Sequence, residues 1–333
     1  MTSQSALSKL NDVVTEDLLI ASDTAGIQIH VRNKRLASVK TFSAERTVVL
    51  MHGATFSSGS LFDVRVAGFS FLDYLAACGY DVYAVDARGY GMSTRPPEMN
   101  DSPQSNPPVG RTESAVSDLG RAIDAILKRR DISSLNLVAM SWGASIAGVY
   151  TSRNNAKIAK LVLLVPLWVS ATPLPLDFGG DLGAYRKVRV LDVKERWLSA
   201  APEDKRDGLI PAGWFEQWAE ATLAEDAQGA AETPPTMRAV NGPVIDVREF
   251  WNAGRPLYEP KDITKPVLLI HAEWDFDTPF DVARSLFFSL TSTPYKRWVE
   301  IGEATHMVVL EKNRLQVFDA IQGFLAETFA PAQ

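Results

Sequence analysis

Ala139-Met140-Ser141-Trp142-Gly143 stands where a buried apolar run, Leu135-Asn-Leu-Val-Ala139, gives way to a helical pattern over 141–150. A serine at the tip of a tight strand-to-helix turn presents its hydroxyl outward, and small residues two positions before and after it relieve the crowding of such a turn. Ala139 and Gly143 meet that demand, although alanine keeps a Cβ where glycine has none. The alternative reading is a plain helix cap, a position serine favours. As a nucleophile, Ser141 would need a base, and the base would need a third group to hold its tautomer.

Four histidines are available. His30 falls on the outward face of a predicted edge strand, His52 lies in a different loop, and His271 ends a strand where a scaffold role is expected. His306, in Gly302-Glu-Ala-Thr-His306-Met307, follows the last strand and precedes the last helix, so a rigid scaffold can aim it at Ser141. Glu273-Trp-Asp275-Phe-Asp277-Thr-Pro279 supplies the acid: Asp275 is the choice and Asp277 the reserve, the other serving as a turn or helix-capping carboxylate. A metal reading is weaker, because the spacing lacks a second ligand set and the glycine a calcium loop needs. A developing oxyanion requires backbone N–H donors fixed in advance. Trp142, after the nucleophile, and Ala54, in the His52-Gly53-Ala54-Thr55 loop, are the candidates.

These loops need a scaffold. Ile27–Arg32 alternates apolar and polar residues after an Asp23–Gly26 turn, as in an antiparallel edge hairpin. Continuous apolar runs at 47–51, 81–85, 135–139, 160–165 and 266–270, and a further strand at 297–301, suit a parallel sheet covered on both faces. Helical stretches lie between them: 71–78 closed by Gly79, 113–130 with Val116, Leu119, Ile123, Ile126 and Leu127 on one face, and a final amphipathic helix marked by Leu315, Phe318, Ile321, Phe324 and Leu325. This alternation predicts an α/β fold with a mostly parallel central sheet and helices on both faces. Residues 1–169 and 262–333 form that core, and 170–261, rich in aromatics and without a convincing strand, form a mainly helical insertion. Residues 96–108, rich in Pro, Ser and Asn, read as an irregular surface loop.

Composition narrows the partners. With 333 residues, 46% apolar and 22% charged, the chain can bury a large core. A net charge of −6 offers no basic excess for nucleic acid or anionic membranes, so a small-molecule substrate is expected, with a homodimer compatible. Cys78 is a buried small hydrophobe without an internal partner. The N-terminal stretch has no signal-peptide pattern and no run approaches the roughly 20 apolar residues of a membrane span, so the cytoplasm is the default compartment.

In these features the chain resembles the α/β-hydrolase superfamily from about Ile29 to Leu325: the His52-Gly53 loop, Asp86-Ala-Arg-Gly-Tyr-Gly-Met-Ser93, the turn at 139–143, Asp275 four residues before Pro279, and His306. Nucleophile, acid and histidine occur in that family's chain order. The resemblance implies an α/β-hydrolase fold in which Asp86 and Arg88 are scaffold and 170–261 caps the serine. It also implies a serine hydrolase, with no cofactor and no metal, that cleaves a small carboxylic ester, lactone or amide. Carbon–carbon hydrolysis of diketone-like compounds, cofactor-free perhydrolysis and a receptor-like binding role are the alternatives. Met140-Ser-Trp-Gly143 is similar to proline iminopeptidases, whose glycine-rich oxyanion loop is absent, and Ser141 stands where dehalogenases and epoxide hydrolases carry aspartate. An apolar or aromatic substrate group is expected, with Thr55, Trp168, Trp214, Trp218, Trp251 and Met307 as contacts, although the cap aromatics would serve equally as the cap's own core.

Overall fold

The computed structural model describes residues 7–329, so the first six residues of the N-terminal stretch lie outside it. Among the described residues there are ten strands: β1 (Val13–Ala21), β2 (Gln28–Leu36), β3 (Thr47–Met51), β4 (Asp81–Val85), β5 (Leu135–Met140), β6 (Ile158–Leu164), β7 (Tyr185–Arg189), β8 (Thr236–Val240), β9 (Val267–Ala272) and β10 (Lys296–Ile301). Eight of them form one sheet in the order β1-β2-β4-β3-β5-β6-β9-β10. β1 and β2 pair antiparallel, as do β2 and β4, and the other pairings are parallel. Every residue of β3, β4, β5 and β9 is buried, as their uninterrupted apolar runs require when both faces are covered.

Helices α1 (Phe71–Ala77), α2 (Thr112–Arg130), α3 (Trp142–Arg153), α6 (Phe280–Ser289) and α7 (Arg314–Ala326) supply much of that cover, while α4 (Val193–Ser199) and α5 (Trp214–Ala224) lie in the segment between β6 and β9. Local chemistry sets their ends. Ser70 and Asp73 form a reciprocal capping box at the start of α1, and Gly79 closes it at φ 90°, a backbone that only glycine adopts freely. The rings of Phe71 and Phe318 stack 4.4 Å apart, joining α1 to α7. Cys78 is buried, and burial pushes its thiol pKa up.

Two sequence expectations change. His30 is not on an outward face: β1 lies outside β2, and His30 is buried with Nδ1 2.9 Å from Asp86 and Nε2 3.0 Å from Asp17. The insertion between β6 and β9 is also not strandless, because β7 and β8 pair antiparallel from Tyr185↔Val240 to Arg189↔Thr236. Tyr-Arg-Lys-Val-Arg carries three cations in five residues, and its partner lies far along the chain, so local pattern does not reveal it. Among the described residues no helix is long and apolar enough to cross a membrane.

Candidate active site

Strand order does what sequence distance conceals. β3 lies directly beside β5, with Met51 opposite Ala139, so the loop after Met51 meets the turn after Met140. β9 lies beside β10, with Ala272 opposite Ile301, so the Asp275 and His306 loops leave the sheet side by side. All four strands run parallel, which puts these loops on one carboxyl edge.

Ser141 joins β5 to α3 with φ 57° and ψ −121°, the backbone of the first central residue of a type II′ turn, where glycine dominates. Its N–H donates to the Leu164 carbonyl at 2.9 Å, and its own carbonyl accepts from Ala144 (2.9 Å) and Leu167 (3.1 Å). These bonds hold a conformation that serine would not adopt alone. The close approach explains the small neighbours: a Cβ on Gly143 would sit 2.4 Å from the His52 carbonyl oxygen, and one on Gly53 would sit 3.2 Å from Ser141 Cβ.

His306 donates from Nδ1 to Asp275 Oδ2 at 2.8 Å, leaving Nε2 as the nitrogen able to take a proton. Asp275 is fully enclosed and also accepts the Thr278 N–H (2.9 Å) and hydroxyl (2.6 Å). Burial pushes the Asp275 pKa up, but the charge and hydrogen bond of His306, with the Thr278 donors, hold it below the usual carboxylate value. Burial likewise pushes His306 down, and the charge and hydrogen bond of Asp275, with Asp277 behind, raise it above the ordinary histidine value. Asp277 is bound by Arg196 of α4 rather than by His306. Asp275, Asp277 and His306 do offer ligand atoms within 4.8 Å of one another. Their carboxylate oxygens are already engaged by Thr278, His306 and Arg196, so the cluster suits proton handling better than a cation.

The imidazole of His52 supports the loop after β3. Its Nδ1–H donates to the Gly53 carbonyl at 2.7 Å while Nε2 accepts the Ala87 N–H at 3.0 Å. That carbonyl shares a planar peptide with the Ala54 N–H, so fixing one aims the other. Complete burial keeps the His52 pKa down, which preserves the neutral tautomer this arrangement needs. Trp142 is the first residue of α3, so its N–H has no acceptor within the helix, and the helix N-terminus adds partial positive charge. The Trp142 indole points elsewhere and donates to Thr112 Oγ1 at 2.8 Å.

Ser141, His306, Ala54, Thr55 and Met307 line one cavity of about 400 Å³. Trp168, Trp214, Trp218 and Trp251 do not line it. Trp218 is buried against Phe56, Trp197 and Phe215; Trp168 packs on Tyr258; Trp251 is wholly enclosed; and Trp214 lies against the Arg314 guanidinium at 4.9 Å. These four rings therefore serve packing, Trp168, Trp218 and Trp251 buried and Trp214 partly so. The cavity aromatics are instead Phe56, Phe178, Trp197 and Phe276, none of which the sequence singled out as a contact. Sequence reasoning also missed Arg186 and Arg196 in the lining, since two arginines in a segment read as a helical insertion carry no local signal. Glu311 gave none either: buried behind the histidine loop, it accepts the Thr305 N–H (2.9 Å) and hydroxyl and the Trp197 indole N–H (2.6 Å). Scaffold roles hold for Asp86, which accepts the Ser58 N–H at 2.9 Å, and for Arg88, which grips Asp118. His271 is 2.9 Å from Glu300 and donates to the Thr278 carbonyl at 3.1 Å, bracing the Asp275 loop.

Solved structures share the fold. A thermophilic esterase from Thermogutta terrifontis superposes with TM-score 0.57 at 17% identity, covering 93% of this chain and 98% of that one. A bromoperoxidase from Bacillus anthracis gives 0.60 at 18% identity, over 93% and 99%. The 2-hydroxy-6-oxo-6-phenylhexa-2,4-dienoate hydrolase from Rhodococcus sp. strain RHA1 gives 0.56 at 15% identity, over 94% and 100%. The family model for the alpha/beta hydrolase family matches residues 48–320, which span the sheet from β3 through most of α7. With that match over most of its length, the chain belongs to the alpha/beta hydrolase family.

Proposed function

We propose that this chain is a serine hydrolase that cleaves a small carboxylic ester, lactone or amide through an acyl-enzyme. The observation that carries this reading is one cavity lined both by Ser141, on its strained turn, and by His306, already hydrogen-bonded to a buried Asp275. In the proposed reaction Ser141 Oγ attacks the substrate carbonyl while His306 Nε2 takes its proton. Asp275 stabilises the imidazolium, and the N–H groups of Ala54 and Trp142 receive the oxyanion. His306 then protonates the leaving group, and water enters by the same steps in reverse. Residues 170–261 act as the cap over the serine. A small-molecule substrate, rather than nucleic acid or an anionic membrane surface, fits the net charge of −6.

The test is labelling with a fluorophosphonate probe, together with turnover of short p-nitrophenyl esters. Both should be present in the wild type and absent in Ser141→Ala. Labelling that persists in the variant removes Ser141 from the mechanism. Labelling without ester turnover would move the reading to carbon–carbon hydrolysis, perhydrolysis or ligand binding.

A further inference from the structure

Three cationic side chains line the cavity, and two have acidic partners: Lys187 pairs with Glu232 at 2.6 Å and Arg196 with Asp277. Arg186 does not. Its side chain bridges insertion and core: Nη1 donates to the Val240 carbonyl at the end of β8 (2.7 Å) and to Asn241 Oδ1 (3.4 Å). Nη2 donates to the Ala54 carbonyl (3.0 Å) and Thr55 Oγ1 (2.8 Å). All four acceptors are neutral. Among the described residues it has no ion-pair partner, and burial, the largest influence on it, disfavours its charge.

Arg314, a buried arginine away from the cavity, donates to the Phe69 (3.0 Å) and Val66 (2.8 Å) carbonyls. It too lacks a carboxylate, but its guanidinium lies against the rings of Phe69, Trp214 and Phe318 at 4.4–5.6 Å, and it does not line the cavity. Arg186 has no such ring. Its Nη hydrogens are committed, so the group is held in one pose, while the Nε–H has no hydrogen-bond acceptor among the described residues. Nor is it needed to aim the Ala54 N–H, because the peptide that carries that group is held by His52. The same cavity is also lined by the apolar side chains of Leu61, Leu167, Leu176 and Val188.

We propose that Arg186 anchors a carboxylate of the substrate, so that the preferred substrates are esters with an apolar body and a free acid group. This rests on the hydrolase reading above. A preorganised, partly buried guanidinium without a carboxylate partner gains from an anion that arrives with the ligand, since no reorganisation is needed on binding.

Two ester series test it. On the acyl side, mono-p-nitrophenyl esters of adipate, pimelate and suberate are compared with the hexanoate, heptanoate and octanoate. On the alcohol side, hexanoyl esters of 4-hydroxybenzoate are compared with those of 4-hydroxybenzamide. In at least one series the anionic member should have kcat/KM at least tenfold above its neutral partner. Arg186→Gln should cut that ratio by tenfold or more, and Arg186→Lys should retain more of it than Arg186→Gln. The wild-type ratio is read without any variant, so a poorly folding Arg186→Gln leaves that arm standing. No preference in either series, or a ratio that Arg186→Gln leaves unchanged while both rates fall, overturns the anchor and leaves Arg186 as a strut for the Ala54–Thr55 loop. Fluorophosphonate labelling in the same samples separates the failures: labelled protein without charge preference removes the anchor alone, whereas unlabelled protein removes the hydrolase reading with it.

Discussion

Replacing Ser141 by glycine should make the protein more stable than replacing it by alanine, although both lose the nucleophile. The backbone at 141 (φ 57°, ψ −121°) lies in a region that belongs to glycine, and a side chain there costs about 1–3 kcal/mol. Alanine keeps the Cβ and therefore the strain. Glycine removes it but frees the unfolded chain, which returns about 0.4–1 kcal/mol. At the middle of both ranges the net gain of Ser141→Gly over Ser141→Ala is about 1.3 kcal/mol. For 333 residues the unfolding entropy is about 0.7 kcal/mol/K, so Tm should differ by about 2 °C. Paired thermal melts, checked by urea denaturation midpoints, are sufficient. If Ser141→Gly melts at or below Ser141→Ala, the turn is not strained, and the claim that the fold stores energy to aim this hydroxyl falls.

Asp275→Asn should lower kcat about 10³–10⁴-fold with little change in KM, as expected when the partner of a catalytic histidine loses its charge. It should also move the acid limb of the pH profile. In the wild type that limb should lie above the ordinary histidine value of 6.5, because Asp275 favours the imidazolium; without the charge, burial dominates and the limb should shift down. A limb that stays in place contradicts the pairing. At the seam between insertion and core, Glu225 accepts from the Ser57 and Ser60 hydroxyls, and burial with the nearby charge of Asp86 pushes its pKa up. A folded-state carboxyl that holds its proton more tightly than the unfolded chain makes stability fall as pH rises from the unfolded value towards the folded one. Glu225→Gln should therefore gain stability relative to wild type between pH 4 and pH 8, measured by urea midpoints. A difference that is flat with pH, or of opposite slope, would show that the carboxyl is not held protonated.

Much of this scaffold is legible without coordinates, because its signals are local. Uninterrupted apolar runs can be satisfied only by strands covered on both faces, and β3, β4, β5 and β9 are such strands. The small residues around Ser141 similarly announce a turn too tight for bulk, and Gly143 is where a Cβ would strike backbone. Tertiary structure decided everything that depends on partners far along the chain. Asp275 and Asp277 are indistinguishable as loop carboxylates until Thr278 and His306 engage one and Arg196 the other. Tryptophans 168, 214, 218 and 251 have the same character whether they line a cavity or fill a core, and only their neighbours assign them to packing. Arg186 acquires its place because β7 finds β8 and extends over the loop after β3, a meeting of three distant segments that no local periodicity encodes. Hydrophobic pattern and steric demand act over a few residues, whereas the company a charge or a ring keeps is set by the packed whole.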